Sequence, residues 1–159
     1  MKTLVVVSDS HGNIKAVDKL RPLVAENDFF VHLGDGVGDI REIYKEYPDK
    51  TYFCAGNCDF FSPYPTEGVL DVEKISIFYT HGHKYGVKNG LETLAAAAKS
   101  RGCEVALYGH THTPLVTQID GVTLINPGAL RMTGENLVYA YLVVNGDKIT
   151  HVLVGESLR

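Results

Sequence analysis

Short apolar runs alternate with amphipathic segments through the first third of the chain. The run Leu4-Val5-Val6-Val7 is short and mostly β-branched, which predicts a buried strand, and comparable runs at 29–33 and 51–55 predict two more. The segments between these runs, 14–20 and 40–47, carry apolar residues at helical spacing. This β-α-β-α-β order predicts that the three strands are parallel.

The rest of the chain shows a different pattern. After a long segment without periodicity at 56–68, the pairs 69–72 and 75–80 are typical of a hairpin, 91–98 is typical of a helix, and 104–108 of a buried strand. The later strand-like runs are expected to be antiparallel. We therefore expect one domain over residues 1–159 of the α/β class, with two sheets that are partly parallel and partly antiparallel.

Prolines and glycines mark the ends of these elements. Pro22 is expected to end or kink the first helix, and Pro48 is expected to stop the second. Gly102 is placed to be the left-handed cap of the third helix. Asp120-Gly121 and Asn145-Gly146 each separate two strand-like runs, as the turns of two-residue hairpins do.

Composition and charge exclude several classes of protein. The chain has 159 residues, of which 45% are hydrophobic, and its 15 Lys and Arg against 19 Asp and Glu give a net charge of −4. Its basic residues are scattered, so we expect no polybasic nucleic-acid surface. No apolar run approaches the ~20 residues of a membrane span or the core of a signal peptide. Three cysteines without a C-x-x-C pair favour neither a disulfide framework nor a zinc knuckle. A cytoplasmic location is expected.

Five apolar strands run directly into a short polar cluster that contains or adjoins a glycine. Because ligands of open α/β sheets bind outside the carboxyl ends of the strands, these clusters are expected to meet at one edge. The clusters are Ser8-Asp9-Ser10-His11-Gly12, Gly34-Asp35, Gly56-Asn57-Cys58-Asp59, His81-Gly82-His83 and Gly109-His110-Thr111-His112.

The side chains of these clusters indicate a metal site. Carboxylate, imidazole and amide groups are the ligands of mid-series divalent metals. Seven candidate ligands exceed what one tetrahedral ion takes, so the sequence predicts two ions, and Asp35, an acid between two glycines, is expected to bridge them. Asp9, Asp35 and a bridging hydroxide leave about one positive charge on two divalent ions, which attracts phosphate. Water held between two metals has a pKa of about 7, so no protein base is needed.

At these residues the sequence resembles the calcineurin-like metallophosphoesterase superfamily, whose motifs are D-x-H, G-D, G-N-H-[D/E], a His beside Gly, and G-H-x-H. It is most similar to the small YfcE-like phosphodiesterase branch, and the resemblance runs from residue 5 to about residue 130. The resemblance implies a four-layer α/β/β/α sandwich with two mixed sheets. It also implies one metal on Asp9, His11 and His112, a second on Asn57, His81 and His110, and Asp35 as the bridge.

The chain departs from the superfamily pattern at two positions. Cys58 stands where many members have a His that protonates the leaving group or binds phosphate, which argues against phosphomonoesterase activity. Ala129 replaces the serine of the N-P-G-S turn at 126–129, and no chemical role is assigned to that turn. Asn57, Cys58 and His83 are the catalytic candidates. His83 either touches phosphate, touches a carboxylate that supports the metal ligands, or only starts a turn.

Other polar residues have alternative explanations. Asp39 is expected to cap the following helix, and Asp59 either orients a metal ligand or stabilises the turn after Asn57. His32 is expected to be structural. The aromatic residues of the loop 56–68 either contact substrate or pack on the domain or on a partner subunit.

Together these features predict a dinuclear phosphodiesterase in which metal-held hydroxide attacks phosphorus in line. The expected metal is manganese, with nickel, iron, zinc and cobalt as alternatives, and the expected substrate is a small phosphodiester or other phosphate ester. Alternatives are a phosphomonoesterase of the same fold or a non-catalytic, retromer-like scaffold, and a homo-oligomer is left open. An aspartyl-phosphate phosphatase using Asp9 is disfavoured, because the second acid of D-x-D-x-T is missing.

Overall fold

The computed structural model describes residues 1–131 and 137–155, and this part of the chain forms ten strands and three α-helices. The helices are α1 (Ile14–Glu26), α2 (Arg41–Glu46) and α3 (Glu92–Ser100), with short 3-10 helices at Val37–Ile40 and His83–Tyr85. The strands are β1 (Lys2–Val7), β2 (Phe29–His32), β3 (Thr51–Phe53), β4 (Glu67–Val72), β5 (Ile75–Thr80), β6 (Val105–Leu107), β7 (Leu115–Ile119), β8 (Val122–Asn126), β9 (Tyr139–Asn145) and β10 (Lys148–Val154).

The strands form two mixed five-stranded sheets. The first has the order β10-β9-β1-β2-β3, in which β1, β2 and β3 are parallel and β9 is antiparallel to β1. The second has the order β4-β5-β6-β8-β7, in which β5, β6 and β8 are parallel and both edge strands are antiparallel. The structure thus confirms the two mixed sheets and the parallel start.

The alternation of side chains along β1 shows how the layers form. Leu4 and Val6 are buried between the two sheets, whereas Val5 and Val7 point to the other face and pack on α1 and α2. The outer face of the second sheet is covered by Leu94 and its neighbours on α3. The result is the expected four-layer sandwich of helix, sheet, sheet and helix.

Pro22 was expected to end or kink α1, and the first alternative is wrong, because the helix continues to Glu26. Proline removes the N–H that would bond the carbonyl of Asp18, but Asp18 and Pro22 are both exposed, so water can bond that carbonyl. Val24 in the last turn is buried with Leu20, and this packing favours continuation of the helix.

The predicted turns are largely confirmed. Asp120 and Gly121 have φ of 53° and 82° and connect β7 to β8, and Gly102 has the left-handed φ of 72° expected of a cap. The last hairpin turn is one residue later than expected, at Gly146-Asp147. None of the helices in the described ranges is long and apolar enough to cross a bilayer.

Candidate metal centre

The carboxyl ends of five strands bring the predicted clusters to one edge of the sandwich. The loops after β1, β2 and β3 come from the first sheet, and the loops after β5 and β6 come from the second. The structure brings together the side chains of six of the seven predicted metal ligands there. They are Asp9, His11, Asp35, His81, His110 and His112.

Asp9, His11 and His112 form one group, with one ligand atom from each lying within 4.8 Å of the others. His112 Nε2 is 3.1 Å from Asp9 Oδ1, and His11 Nε2 is 3.5 Å from the same oxygen. Asp9 is fully buried and both histidines are partly accessible. One carboxylate and two imidazoles could therefore hold one ion at the surface of the edge.

Asp35, His81 and His110 form a second group with the same spacing. His81 Nε2 lies 3.2 Å from His110 Nδ1 and 3.3 Å from Asp35 Oδ2. Asp35 Oδ2 is also 3.5 Å from His11 Nε2 of the first group. Asp35 thus lies between the two groups, where a bridging carboxylate would have to be.

Hydrogen bonds orient the donor atoms of the second group. His81 Nδ1 donates to the Leu33 carbonyl at 2.7 Å, so its Nε2 faces Asp35 and His110. In the protonated ring Nε2 donates to Asp35, and in the neutral ring it is the atom that could bind a cation. Burial lowers the pKa of His81, but the Asp35 and Asp9 carboxylates raise it by more. Burial raises the pKa of Asp35, yet the hydrogen bonds from His81 and from the Cys58 N–H hold it well below its usual range. The lowered pKa of Asp35 and the raised pKa of His81 both indicate that this site favours a positive charge beside an ionised Asp35 carboxylate.

The backbone at these ligands is unusual. Asp9, His11, Asp35, His110 and His112 all have positive φ, between 42° and 71°. Such left-handed conformations cost energy for residues with a Cβ, although Asp and His tolerate them better than most. Five of seven predicted ligands in this conformation favour a functional constraint over ordinary turn formation.

Asp59, whose role the sequence left open, holds two of the ligand loops together. Its carboxylate accepts hydrogen bonds from the backbone N–H groups of Asp35, Gly36, Val37 and Gly56 at 2.7–3.2 Å. A Cβ on Gly56 would overlap Asp35 Oδ1, so this close approach also requires glycine. Asp59 therefore stabilises its own turn and also fixes the backbone of Asp35.

The expectation that Asp39 caps a helix is wrong. The residue lies inside the 3-10 helix Val37–Ile40, and neither this helix nor α2 has a side-chain cap. Instead, Asp39 Oδ2 accepts hydrogen bonds from Ser10 Oγ at 2.7 Å and from Gly12 N at 2.8 Å, which fixes the loop that carries His11. The carboxylate binds there because those donors are otherwise left without a partner where the loop turns away from β1.

His32 is structural, as expected. Its Nδ1 accepts from Gly34 N at 3.1 Å, so Nε2 carries the proton and donates to Ser10 Oγ at 2.9 Å. Burial lowers the pKa of His32, which favours this neutral form. Ser10 thus links His32 to Asp39, a role that the sequence analysis did not identify.

Asn126, at the end of β8, fixes the loop of the last two histidines. Its amide donates to the Gly109 carbonyl at 3.2 Å and to Thr111 Oγ1 at 3.0 Å, and its own oxygen accepts from Gly128 N at 2.9 Å. The turn at 126–129 therefore has a positioning role that the sequence analysis missed. The N-P-G motif was the signal that could have indicated it.

Asn57 and Cys58 lie at the exposed rim of the centre. In the described part of the chain, the Asn57 amide contacts Cys58 Sγ at 3.6 Å and makes no hydrogen bond to His81 or His110. The Cys58 sulfur lies within 4.8 Å of a ligand atom of His11 and one of Asp35. Partial burial and the Asp35 carboxylate raise the pKa of the Cys58 thiol.

His83 stands beside the second group, with its ring 5.4 Å from that of His81 and 6.2 Å from that of His110. Its Nδ1 is buried and has no hydrogen-bond partner among residues 1–131 and 137–155. Burial and the neighbouring His81 lower the pKa of His83. The residue also begins the turn His83–Tyr85, as one of the alternatives expected, and its contact with phosphate stays a prediction.

The residues present fit two divalent ions. Each group offers one carboxylate and two imidazoles, which is the donor set of Mn, Fe, Co, Ni or Zn. When His81 is neutral, its Nε2 and Asp35 Oδ2 are two acceptors 3.3 Å apart, an arrangement that a cation between them stabilises.

Comparisons with known proteins agree on one family. The sequence model of the calcineurin-like phosphoesterase superfamily domain matches residues 1–148. The phosphodiesterase YfcE of Escherichia coli strain K12 is 26% identical over 182 residues, covering 99% of this chain and 95% of that protein.

Solved structures share the architecture. A predicted phosphoesterase from Streptococcus pneumoniae TIGR4 matches with a TM-score of 0.81 and 25% identity, over 97% of this chain and 89% of that one. Vacuolar Protein Sorting 29 from Cryptosporidium parvum matches with a TM-score of 0.76 and 17% identity, over 98% of each chain. At 17% identity the second likeness shows the fold alone.

Proposed function

Because this chain belongs to the calcineurin-like phosphoesterase superfamily, as its motifs indicated, we propose that it is a two-metal phosphodiesterase acting on small phosphate esters. The observation that carries the proposal is that two groups of ligand atoms adjoin at Asp35, which belongs to the second group and also lies 3.5 Å from His11 of the first. Two ions, one in each group, would therefore be neighbours. The phosphodiesterase name of the E. coli relative supports the reaction class.

We assign one ion to Asp9, His11 and His112, and the other to His81 and His110, with Asp35 between them. Asn57 completes the second set, and its amide must then turn from the Cys58 sulfur toward His81. Asp59, Asp39 and Asn126 position these ligands through the backbone.

When bound, two divalent ions would lower the pKa of water to about 7 and stabilise the charge that develops on phosphorus during in-line hydrolysis. The chain's own carboxylates, Asp9 and Asp35, would supply the negative charge that holds the ions. Asp9 and Asp35 are buried, whereas His11 and His112 are partly accessible, so a phosphate that approaches the centre meets the histidine rings first. We assign His83, whose ring lies 5.4 Å from that of His81, to contact with a phosphate oxygen.

The residue at position 58 favours diesters with good leaving groups. A positioned general acid accelerates a reaction by about 10²–10⁴, and an alkoxide leaving group needs its proton. Cys58 is close to the centre, but its side chain is a poor substitute for an imidazolium. Aryl diesters, whose leaving groups depart without protonation, are therefore the expected good substrates, and alkyl monoesters the poor ones.

Reconstitution of the chelator-treated protein with each metal tests the proposal. Manganese is the metal expected to support activity, and nickel, iron, zinc and cobalt are compared with it. We expect two ions per chain by metal analysis and hydrolysis of bis(p-nitrophenyl) phosphate that exceeds hydrolysis of p-nitrophenyl phosphate. Asp35→Asn should lose both the bound metal and the hydrolysis. Asp49→Asn changes an exposed acid outside the centre and is the matched control.

Two outcomes would contradict the proposal. A stoichiometry of one ion or fewer at saturating metal would exclude the two-metal centre. Two tightly bound ions without hydrolysis of any ester would favour the non-catalytic scaffold, whose fold this chain shares.

A further inference from the structure

An apolar groove opens beside the candidate metal centre. Two cavities of about 300 and 440 Å³ adjoin through a common wall of Val37, Gly38 and Tyr64. We call them together the aromatic groove. Tyr44, Phe53 and Arg41 line one cavity, and Phe60 and Cys58 line the other.

The inner end of the groove is continuous with the metal ligands. The Cys58 sulfur lies within 4.8 Å of ligand atoms of His11 and Asp35, and the Cys58 N–H donates to Asp35 Oδ1 at 2.8 Å. A phosphate held at these ligands would therefore direct one of its ester substituents along the groove. The groove is the part of the molecule that can distinguish one phosphodiester from another.

The walls offer flat aromatic surface. Phe53 packs edge-on against Tyr44, at 5.1 Å between ring centroids, and against Tyr64, at 4.7 Å. These contacts fix the three rings, while Tyr44 and Tyr64 remain about two-fifths exposed and Phe60 is 77% exposed. Fixed, accessible aromatic rings are surfaces on which nucleobases stack.

Arg41 adds an uncompensated positive charge. Across residues 1–131 and 137–155 no carboxylate pairs with its guanidinium, whereas Lys45 on the same helix contacts Glu42 at 3.7 Å and Arg21 contacts Glu46 at 3.9 Å. A guanidinium matches the oxygen geometry of a phosphate. The groove therefore combines an aromatic surface and the Arg41 guanidinium beside the metal centre.

We propose that the aromatic groove binds the nucleoside of a nucleotide phosphodiester and that Arg41 pairs with a second phosphate of the same molecule. The proposal rests on the proposed function, because the scissile phosphate must lie at the metal centre. The two cavities have the size of small-ligand pockets, which are typically about 300–1,000 Å³. The substrate class is thus a small nucleotide diester with an additional phosphate group.

Three substrates with the same nitrophenolate leaving group test this proposal. They are methyl p-nitrophenyl phosphate, thymidine 5′-(p-nitrophenyl phosphate), and the latter compound carrying a 3′-phosphate. Because the leaving group is constant, differences in KM report binding of the nucleoside and of the second phosphate. We expect the nucleoside to lower KM about tenfold through stacking, and the second phosphate to lower it about fivefold more.

Matched variants locate each contribution. Phe60→Ala and Tyr64→Ala should raise KM for both thymidine compounds relative to the methyl compound. Arg41→Gln should cancel the advantage of the 3′-phosphate. Lys45→Gln on the same helix and Phe61→Ala, a fully exposed phenylalanine that lines neither cavity, are the controls and should change none of the ratios.

Calorimetry with thymidine 3′,5′-bisphosphate, on the protein with and without metal, gives a readout that does not depend on turnover. Arg41→Gln should weaken this binding about fivefold in both forms. Equal KM values for the three substrates, together with normal hydrolysis of the methyl compound, would overturn the groove assignment and leave the proposed function intact. No hydrolysis of any of the three would contradict the proposed function itself. A change in sedimentation of Phe60→Ala with unchanged KM would also overturn the proposal, in favour of an interface.

Discussion

Replacing Asp59 by asparagine tests how the ligand loops are held. The carboxylate accepts four backbone N–H groups, two on each oxygen: Gly36 and Val37 on Oδ1, and Asp35 and Gly56 on Oδ2. Asparagine has nearly the same shape, but its amide nitrogen cannot accept. Two of the four N–H groups therefore lose their acceptor and face a second donor.

The loss of folding stability in Asp59→Asn follows from these contacts. A hydrogen bond to a charged group contributes about 1.5–3 kcal/mol, and Asp59 is only half-buried, so two lost bonds near the lower end cost about 3 kcal/mol. For a chain of this length a destabilisation of ~1 kcal/mol lowers Tm by roughly 2–4 °C. Asp59→Asn should therefore lower Tm by about 6–12 °C.

Thermal unfolding followed by circular dichroism measures this shift. Asp49→Asn, an exposed acid, should change Tm by less than about 2 °C and serves as the control. Because Asp59 fixes the backbone of Asp35, metal affinity should also fall about 10–100-fold, as it does when groups that orient metal ligands are removed. A Tm within about 2 °C of the wild type would refute the hydrogen-bond reasoning. A lowered Tm with unchanged metal affinity would show that Asp59 stabilises the fold without positioning the centre.

Three other predictions concern the centre and its rim. Asp35→Asn should reduce activity more than about 100-fold and abolish the rise in Tm that metal produces, since it contacts both ligand groups; a retained rise would exclude the bridge. Cys58→His should raise the rate on alkyl phosphomonoesters more than on aryl diesters, because it restores a general acid; equal changes in both rates would place residue 58 outside the acid position. A thiol reagent should label Cys58 and spare the buried Cys54 and Cys103 in the folded protein, and bound metal should slow the labelling; three equally fast thiols would contradict the burial described above.

The sequence predicted the framework of this molecule because that framework depends on local patterns. The apolar runs at 4–7 and 104–108 became β1 and β6, and the polar clusters after them lie at one edge because parallel strands end there. A helix end at Pro22 was wrongly allowed because a local rule about hydrogen bonding did not take account of the burial of Val24 in the following turn. Periodicity indicates which residues face the core, but it does not show how strongly their packing stabilises a helix that contains a proline.

The hydrogen-bond partners of the supporting residues could not be predicted in the same way. Asp59 bonds to the backbone of Asp35, 24 residues earlier, and Asn126 bonds to Gly109, 17 residues earlier. Such contacts depend on which loops become neighbours after folding, and no spacing in the sequence encodes them. Asp39 was misassigned for the same reason, since its partners Ser10 and Gly12 belong to the loop after another strand.

Both ligand groups take residues from both sheets. Asp9 and His11 follow β1 and Asp35 follows β2, whereas His81 follows β5, and His110 and His112 follow β6. An ion held by either group would therefore cross-link the two halves of the sandwich at one end, much as a disulfide does. Removing the ions would free that end to open, and amide hydrogens near the ends of β1 and β6 would exchange with solvent sooner than those at the opposite end.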